Sequence, residues 1–209
     1  MASDKQSKGP RNKIEGPLPK IPKLRKRELL SLVRIFARLT LLPHPKTVRA
    51  FNGEPVFLTV RNAKKRRKIK KGIMFDDNTT PRWALGWAHG HEQVWEPKGW
   101  TVAHVWDRNV DSAYTNLANL ALVPEFLGSL TDKEGPLAPY LRYHSYKKYG
   151  WKPKADSKPD EPPDYIDVRW NYFKHEKNPK NLVYGMLKNS GDKRAKILCR
   201  LNEMKDMFE

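Results

Sequence analysis

In "RELLSLVRIFARLTLL", residues 27–42, the polar positions Arg27, Ser31, Arg34 and Arg38 step by four, three and four. That spacing gathers them on one helical face with Leu, Ile, Val and Phe opposite, and predicts a helix docked on a core; a basic helix laid on a membrane is the rival reading. "AFNGEPVFLTVRN" and "RKIKKGIMF" carry β-branched and aromatic residues between Asn-Gly and Asp-Asp-Asn punctuation, so strands are expected around a basic turn. "WTVAHVW" and "NLALV" also have strand character, and Pro124 suits the first turn of a helix over "PEFLGSLTD". In "LAPYLRYHSYKKYGW", Leu137, Tyr140, Leu141 and His144 fall at i, i+3, i+4 and i+7, which predicts another helix. "NLVYGMLKN" and "DKRAKILCRLNEMKDMF" predict two more, separated near Ser190-Gly191, with Ile197, Leu198, Leu201, Met204 and Phe208 as the buried stripe of the second.

The connecting segments divide the chain. Residues 1–26 are rich in Pro, Lys and Gly without apolar period, and are expected to be a basic, disordered arm. Residues 27–150 form the predicted main domain, residues 151–168 a linker by their Pro and charge content, and residues 169–209 a C-terminal helical extension. At 209 residues the chain can bury one sizeable core. No apolar run approaches the roughly 18 residues needed to span a bilayer, and "MASDKQSKGPRNK" has no signal-peptide apolar region, so no membrane partner is expected. The expected location is cytoplasmic, intracellular and nucleoid-associated.

Charge sharpens this picture. Lys and Arg number 41 against 23 Asp and Glu, a formal net charge of +18, which makes a polyanion the leading partner. Residues 1–46 carry a net +9 and residues 136–209 a net +6, whereas residues 72–135 carry −5. Between them "RNAKKRRKIKK" holds eight basic residues and no acid: Arg61, Lys64, Lys65, Arg66, Arg67, Lys68, Lys70 and Lys71. This run fits phosphate contact, with a solvated charged tip or a localisation signal as the alternative. Arg142, Lys147 and Lys148, set among tyrosines, could grip a backbone while the rings stack bases, although aromatic rows at helical spacing also serve as core. An acidic centre between basic arms suits a cation-assisted reaction on a polyanion.

Cysteine arithmetic narrows the chemistry. Cys199 is alone, which excludes an intramolecular disulfide and a cysteine-based zinc site. Any ion would rest on His, Asp, Asn or Glu, ligands that suit magnesium, manganese or a histidine-held transition metal.

The acidic block contains "GWTVAHVWDRNVDSAYTNLANLALVP", residues 99–124. His104 precedes Asn119 by 15 residues, and Asn119 precedes Asp132 by 13. Taken alone, a histidine on an apolar strand fits a packed core residue as well as a base, Asn116 and Asn119 fit turn or capping roles, and Asp132 fits an acid beside a helix end. Phosphodiester hydrolysis needs a base to activate water and a Lewis acid to neutralise developing charge, and histidine can take a proton near neutrality.

The order of strand, loop, strand and helix, with "AHVW" followed by "NLANLALVP", resembles the HNH, or ββα-metal, endonucleases, bacterial restriction-type or mobile-element members among them. The resemblance covers about residues 99–133, reaching toward "TTPRWALG" and "YKKYGW". It implies an α+β fold with a ββα-metal core, flanked by the N-terminal basic arm and helix and the C-terminal helical extension. It also implies a divalent-metal-dependent endonuclease acting on DNA: His104 as general base, Asn119 orienting His104 or binding the ion, Asp132 as a metal ligand, and Mg2+, Mn2+ or another divalent cation as cofactor. The chain departs from the family pattern at Ala103, where many members carry Asp or His, and at Gly128, where a second helix ligand would fall. His89, His91 or Asp107 could complete the shell instead. DNA rather than RNA is part of the resemblance, because charge does not distinguish them. A homodimer would suit cutting both strands. Two other classes stand beside this one: a non-catalytic nucleic-acid-binding protein with a degenerate HNH site, and an adaptor using the terminal helices.

Overall fold

The first helix forms where the polar spacing predicts it. The computed structural model describes residues 24–91, 98–107, 109–165 and 168–206, with side chains as far as residue 202. Helix α1, Lys26–Leu39, starts with Glu28 accepting from the Arg25 backbone N–H and guanidinium. Arg27, Ser31, Arg34 and Arg38 point to solvent, and Val33, Phe36 and Ala37 are buried. The arm before residue 24, Phe208 and the Met204 side chain lie outside the described residues.

Strand β1 (Leu41–Leu42) and helix α2 (Pro45–Ala50) follow. Next come β2 (Thr59–Arg61), β3 (Ile69–Lys70), β4 (Ile73–Asp76) and helix α3 (Thr79–Trp87). Here the structure differs from the expected pair of strands around a basic turn. Strand β2 pairs with β4 in parallel, and β3 folds back on the other edge of β4. A parallel pair cannot close through a tight turn, so the basic run becomes the crossover between them. Lys71 and Gly72 both take positive φ, at 52° and 73°, which makes the reversal from β3 to β4.

Strand β5 (Trp100–His104), helix α4 (Asp111–Tyr114), strand β6 (Leu120–Pro124) and helix α5 (Glu125–Gly128) come next. They are followed by helix α6 (Ala138–Tyr149), strand β7 (Asn171–Tyr172), helix α7 (Pro179–Asn189) and helix α8 (Lys193–Asp206). The second sheet runs β5-β6-β1-β7, with β5 and β1 antiparallel to β6 and β7 parallel to β1. Among the described residues the architecture is thus α+β, two small sheets among helices, and no helix is long and apolar enough to cross a membrane.

All of β6 is buried, because its alternating side chains serve two layers. Leu120 and Leu122 enter a core with Trp83, Trp87, Phe57 and Leu198 of the α2, α3, α7 and α8 side. Ala121 and Val123 enter another with Phe36 of α1, Tyr140 and Leu141 of α6, and Trp170. The predicted stripe on α6 is core in full: Leu137, Tyr140, Leu141 and His144 are all buried. The expected C-terminal helices form, with Leu198 buried and Ile197 and Leu201 half-buried. The described residues of the expected linker have no regular secondary structure, yet they are bonded to α6, with Tyr140 Oη donating to Pro163 O and Tyr143 Oη to Glu161 Oε2.

Candidate functional site

Strands β5 and β6 pair from Trp100↔Pro124 to His104↔Leu120, so His104 is the last paired residue before the chain leaves the sheet. The loop that returns to β6 is held by side-chain amides. Asn119 Oδ1 accepts from the Trp106 backbone N–H at 2.6 Å, and its Nδ2 donates to Ala113 O at 2.9 Å. The Val105 N–H donates to Asn119 O at 2.9 Å. Asn116 caps the turn before β6 by accepting from Ala118 N–H and donates to Gly53 O at 2.6 Å. Asn119 is fully buried, its amide ties the two ends of the loop together, and it does not line the cavity that His104 lines. Where the resemblance places Asn119 on the His104 ring or on an ion, the structure places it inside the loop that follows His104.

His104 is half-buried and approaches the Tyr114 backbone carbonyl with Nε2 at 3.0 Å. A carbonyl can only accept, so Nε2 carries the proton and the neutral ring keeps its lone pair on Nδ1. The Tyr114 ring stacks on it, with centroids 5.2 Å apart and planes 10° from parallel. Burial lowers the His104 pKa below 6.5, opposed by the bond to Tyr114; the charge of Arg61 lowers it further and that of Asp107 raises it. The ring therefore stays neutral to a more acidic pH than a free imidazole.

Strand β6 ends at Pro124, which caps α5 from outside rather than occupying its first turn as expected. After the single turn of α5 a 3-10 turn, Ser129–Thr131, continues the helical path, and Asp132 follows with an exposed side chain. Gly128 lies so close to β5 that a Cβ there would sit 3.3 Å from Thr101 Cγ2. The missing side chain at that position is thus accompanied by close helix-to-strand packing.

His104 and Asp132 line one cavity of about 370 Å3, together with Asp107 and with Arg61, Lys133 and Arg142. Arg61 belongs to the first sheet, and two clasps bring that sheet to the loop. Asn109 accepts from Arg61 N–H through Oδ1 at 2.6 Å and donates to Arg61 O through Nδ2 at 2.9 Å, in the manner of a strand backbone. Tyr114 Oη donates to Asn78 Oδ1 at 2.9 Å and accepts from Asn78 N–H at 3.0 Å.

The other basic residues divide by place. Lys64, Lys65, Arg66, Arg67, Lys68, Lys70 and Lys71 are exposed on the crossover, with Arg66 paired to Asp77 at 3.3 Å. Arg142 is half-buried on the cavity wall, with its guanidinium 5.3 Å over Trp106. Lys147 and Lys148 lie further along α6, over the rings of Tyr165 and Tyr172, and are not on that wall.

The alternative ligands fare differently. Asp107 lines the cavity, but His89 and His91 do not. His89 is buried: Nδ1 donates to Leu85 O at 2.7 Å and Nε2 accepts from His44 N–H at 3.1 Å. His91 meets Phe173 edge-on at 5.9 Å. Among the described residues no group of three or more His, Cys, Asp or Glu side chains is gathered to hold an ion. The donor set on the wall is carboxylate, from Asp132 and Asp107, which fits a hard cation that keeps several waters and takes phosphate oxygen as well.

Sequence reasoning missed Asn78, Asn109, Tyr114 and Lys133. The contacts of the first three join segments up to 48 residues apart, as Asn109 and Arg61 are, and periodicity carries no signal of such pairings. No family model matches the chain, and no match to it is found among curated proteins or solved structures.

Proposed function

We propose that the protein is an endonuclease that hydrolyses phosphodiester bonds in DNA, with His104 as the general base and a divalent cation, Mg2+ or Mn2+, at the acidic wall of the cavity. The observation that carries this reading is that His104, its Nε2 proton committed to Tyr114 O, lines the same cavity as Asp132, Asp107, Arg61 and Arg142. A histidine serving only to fill a core would not need a cavity walled by both signs of charge.

His104 Nδ1 takes a proton from water as the water oxygen bonds to phosphorus, and the bond from phosphorus to the leaving oxygen breaks. Arg61, Lys133 and Arg142 hold the phosphate oxygens by charge. Asp132 and Asp107 would hold the cation, which when bound neutralises charge on the phosphate and its leaving oxygen. Asn119 acts through the loop, fixing the path from Val105 to Ala113 and so the carbonyl that orients His104. The exposed crossover from Lys64 to Lys71 extends the positive surface beyond Arg61 along the polyanion.

Supercoiled plasmid incubated with the protein and Mg2+ or Mn2+ tests this. Nicking that falls about a thousandfold in His104→Ala, within the range for removal of a general base, and also falls in Asp132→Ala, supports hydrolysis. Plasmid that stays intact under every ion, while salt-dependent binding persists, favours the non-catalytic nucleic-acid-binding protein. That alternative has its own support in Gly128, which offers no ligand where the resemblance would place one.

A further inference from the structure

A second cavity, of about 420 Å3, adjoins the first and shares with it Asp107, Lys133 and Arg142. We propose that it receives one unpaired guanine base of the strand whose phosphate lies beside His104; this rests on the nuclease reading and adds a base preference to it. The two cavities differ in charge. The shared rim carries Lys133 and Arg142 beside Asp107, whereas the remainder of the second cavity is walled by Trp106, prolines and the carboxylates Asp156, Asp160 and Glu161, with no further basic residue among those described. Carboxylates repel phosphate and accept from base donors, so a strand gripped at the rim would direct its base inward and its phosphate toward His104.

The wall is built rather than loose. Tyr143 Oη donates to Glu161 Oε2 at 2.6 Å, Tyr140 Oη donates to Pro163 O at 3.1 Å, and Lys152 Nζ donates to Asp156 O at 2.5 Å. The two tyrosine bonds hold the proline-rich segment on α6, and the Lys152 bond braces the segment internally, before any ligand arrives, which reduces the entropy lost on binding. Arg142, 5.3 Å over Trp106, and the proline faces offer flat surfaces for stacking.

The choice of guanine follows from donor geometry. On its Watson–Crick edge guanine presents two adjacent donors, N1–H and the 2-amino group, which match the two oxygens of one carboxylate. Adenine and cytosine place a ring acceptor beside their single amino group, and thymine flanks N3–H with two carbonyls. Each of those would set an acceptor against a carboxylate oxygen. A base can enter such a cavity only when extruded from the stack or already single-stranded.

The test uses the full-length protein in EDTA at low salt, where nothing is cut, and follows fluorescence anisotropy of labelled heptathymidine and of the same oligomer with guanine, inosine or adenine at its centre. The guanine oligomer is expected to bind about tenfold tighter than heptathymidine, as one good bidentate pair allows. Inosine, lacking the 2-amino group, should lose most of that gain. The triple variant Asp156→Asn, Asp160→Asn, Glu161→Gln should bind all four oligomers equally, with heptathymidine bound at least as tightly as by the unaltered protein, the sign of an intact fold. Equal affinities for the unaltered protein, or a guanine preference that survives the triple variant, would overturn the proposal. Failure to bind any oligomer removes the nucleic-acid reading and this one with it, whereas guanine preference in a protein that never nicks plasmid supports the base site and removes hydrolysis alone.

Discussion

A histidine that gives its Nε2 proton to a carbonyl is a fixed tautomer, and this is the main chemical asset of His104. The bond to Tyr114 favours the protonated ring, but burial outweighs it and lowers the pKa below 6.5. A general base works in its neutral form, so under the proposed nuclease reading the cleavage rate should rise with pH along an acid limb whose midpoint lies below 6.5, then level off through neutrality. Neighbouring charges give this limb a signature. Arg61 disfavours the imidazolium and Asp107 favours it. Arg61→Ala should therefore move the midpoint up in pH and Asp107→Asn should move it down, whatever either variant does to the maximal rate. Single-turnover rates from pH 5 to 8 read both, and midpoints that stay put or move together would show that another group limits the rate. Asn119 is the residue that the resemblance misplaces. Its spacing from His104 suggests a partner for the ring, but a side chain at the foot of β6 meets whatever the returning loop brings to it, here Trp106 N–H and Ala113 O.

Elements with a strong period are legible in the sequence, and elements defined by a distant partner are not. Helix α1 is legible because one face is apolar over several turns, α6 because Leu137, Tyr140, Leu141 and His144 recur at helical spacing although its buried side also carries polar groups, and β5 and β6 because β-branched and apolar residues stand between punctuating loops. The two-residue strands β1 and β7 exist only by pairing with distant chain, as Leu41 does with Leu122 and with Asn171, 130 residues away, and no local pattern can record that. The basic run reads as a turn in the sequence because two neighbouring strands suggest a hairpin; nothing in their composition distinguishes parallel from antiparallel pairing. Its true place as a crossover puts Lys64, Lys68 and Lys70 in solvent on the sheet whose Arg61 reaches the cavity. If they touch phosphate, replacing all three by Ala should reduce the slope of log K against log salt by about 0.9 for each phosphate no longer neutralised. Stability should change by no more than about 0.5 kcal/mol per site, as for other exposed substitutions. Anisotropy titrations on duplex DNA at several salt concentrations measure the slope, and an unchanged slope would show that the crossover stands clear of the backbone.

The whole molecule holds its positive surface and its cavity together through buried polar ties between helices and sheets. Arg194 of α8 reaches Asp77 at 2.9 Å and Asp76 at 3.7 Å, at the end of β4, and lies over Trp83 of α3. His89 closes the other side, linking the carbonyl of Leu85 in α3 to the backbone N–H of His44 at the start of α2. Burial, with help from the neighbouring histidines and against the Leu85 bond, pushes its pKa down to about 4. In the unfolded chain the same ring titrates near 6.5, so between those values the unfolded state binds more protons than the native state. Stability is fully present above pH 6.5 and declines as pH falls toward 4, with about 3 kcal/mol lost across the window from this residue. Urea unfolding at pH 7.5 and pH 4.5 should show that loss, and His89→Gln, which cannot take up the proton, should be less stable at pH 7.5 but flatter between the two. A variant as pH-sensitive as the parent would assign the acid weakness to other groups. The acid limb proposed for His104 also lies below pH 6.5, so loss of cleavage by protonation of that ring would overlap with acid weakening of the fold. Only rates measured alongside unfolding curves separate them, since His89→Gln should flatten the second and leave the midpoint of the first in place.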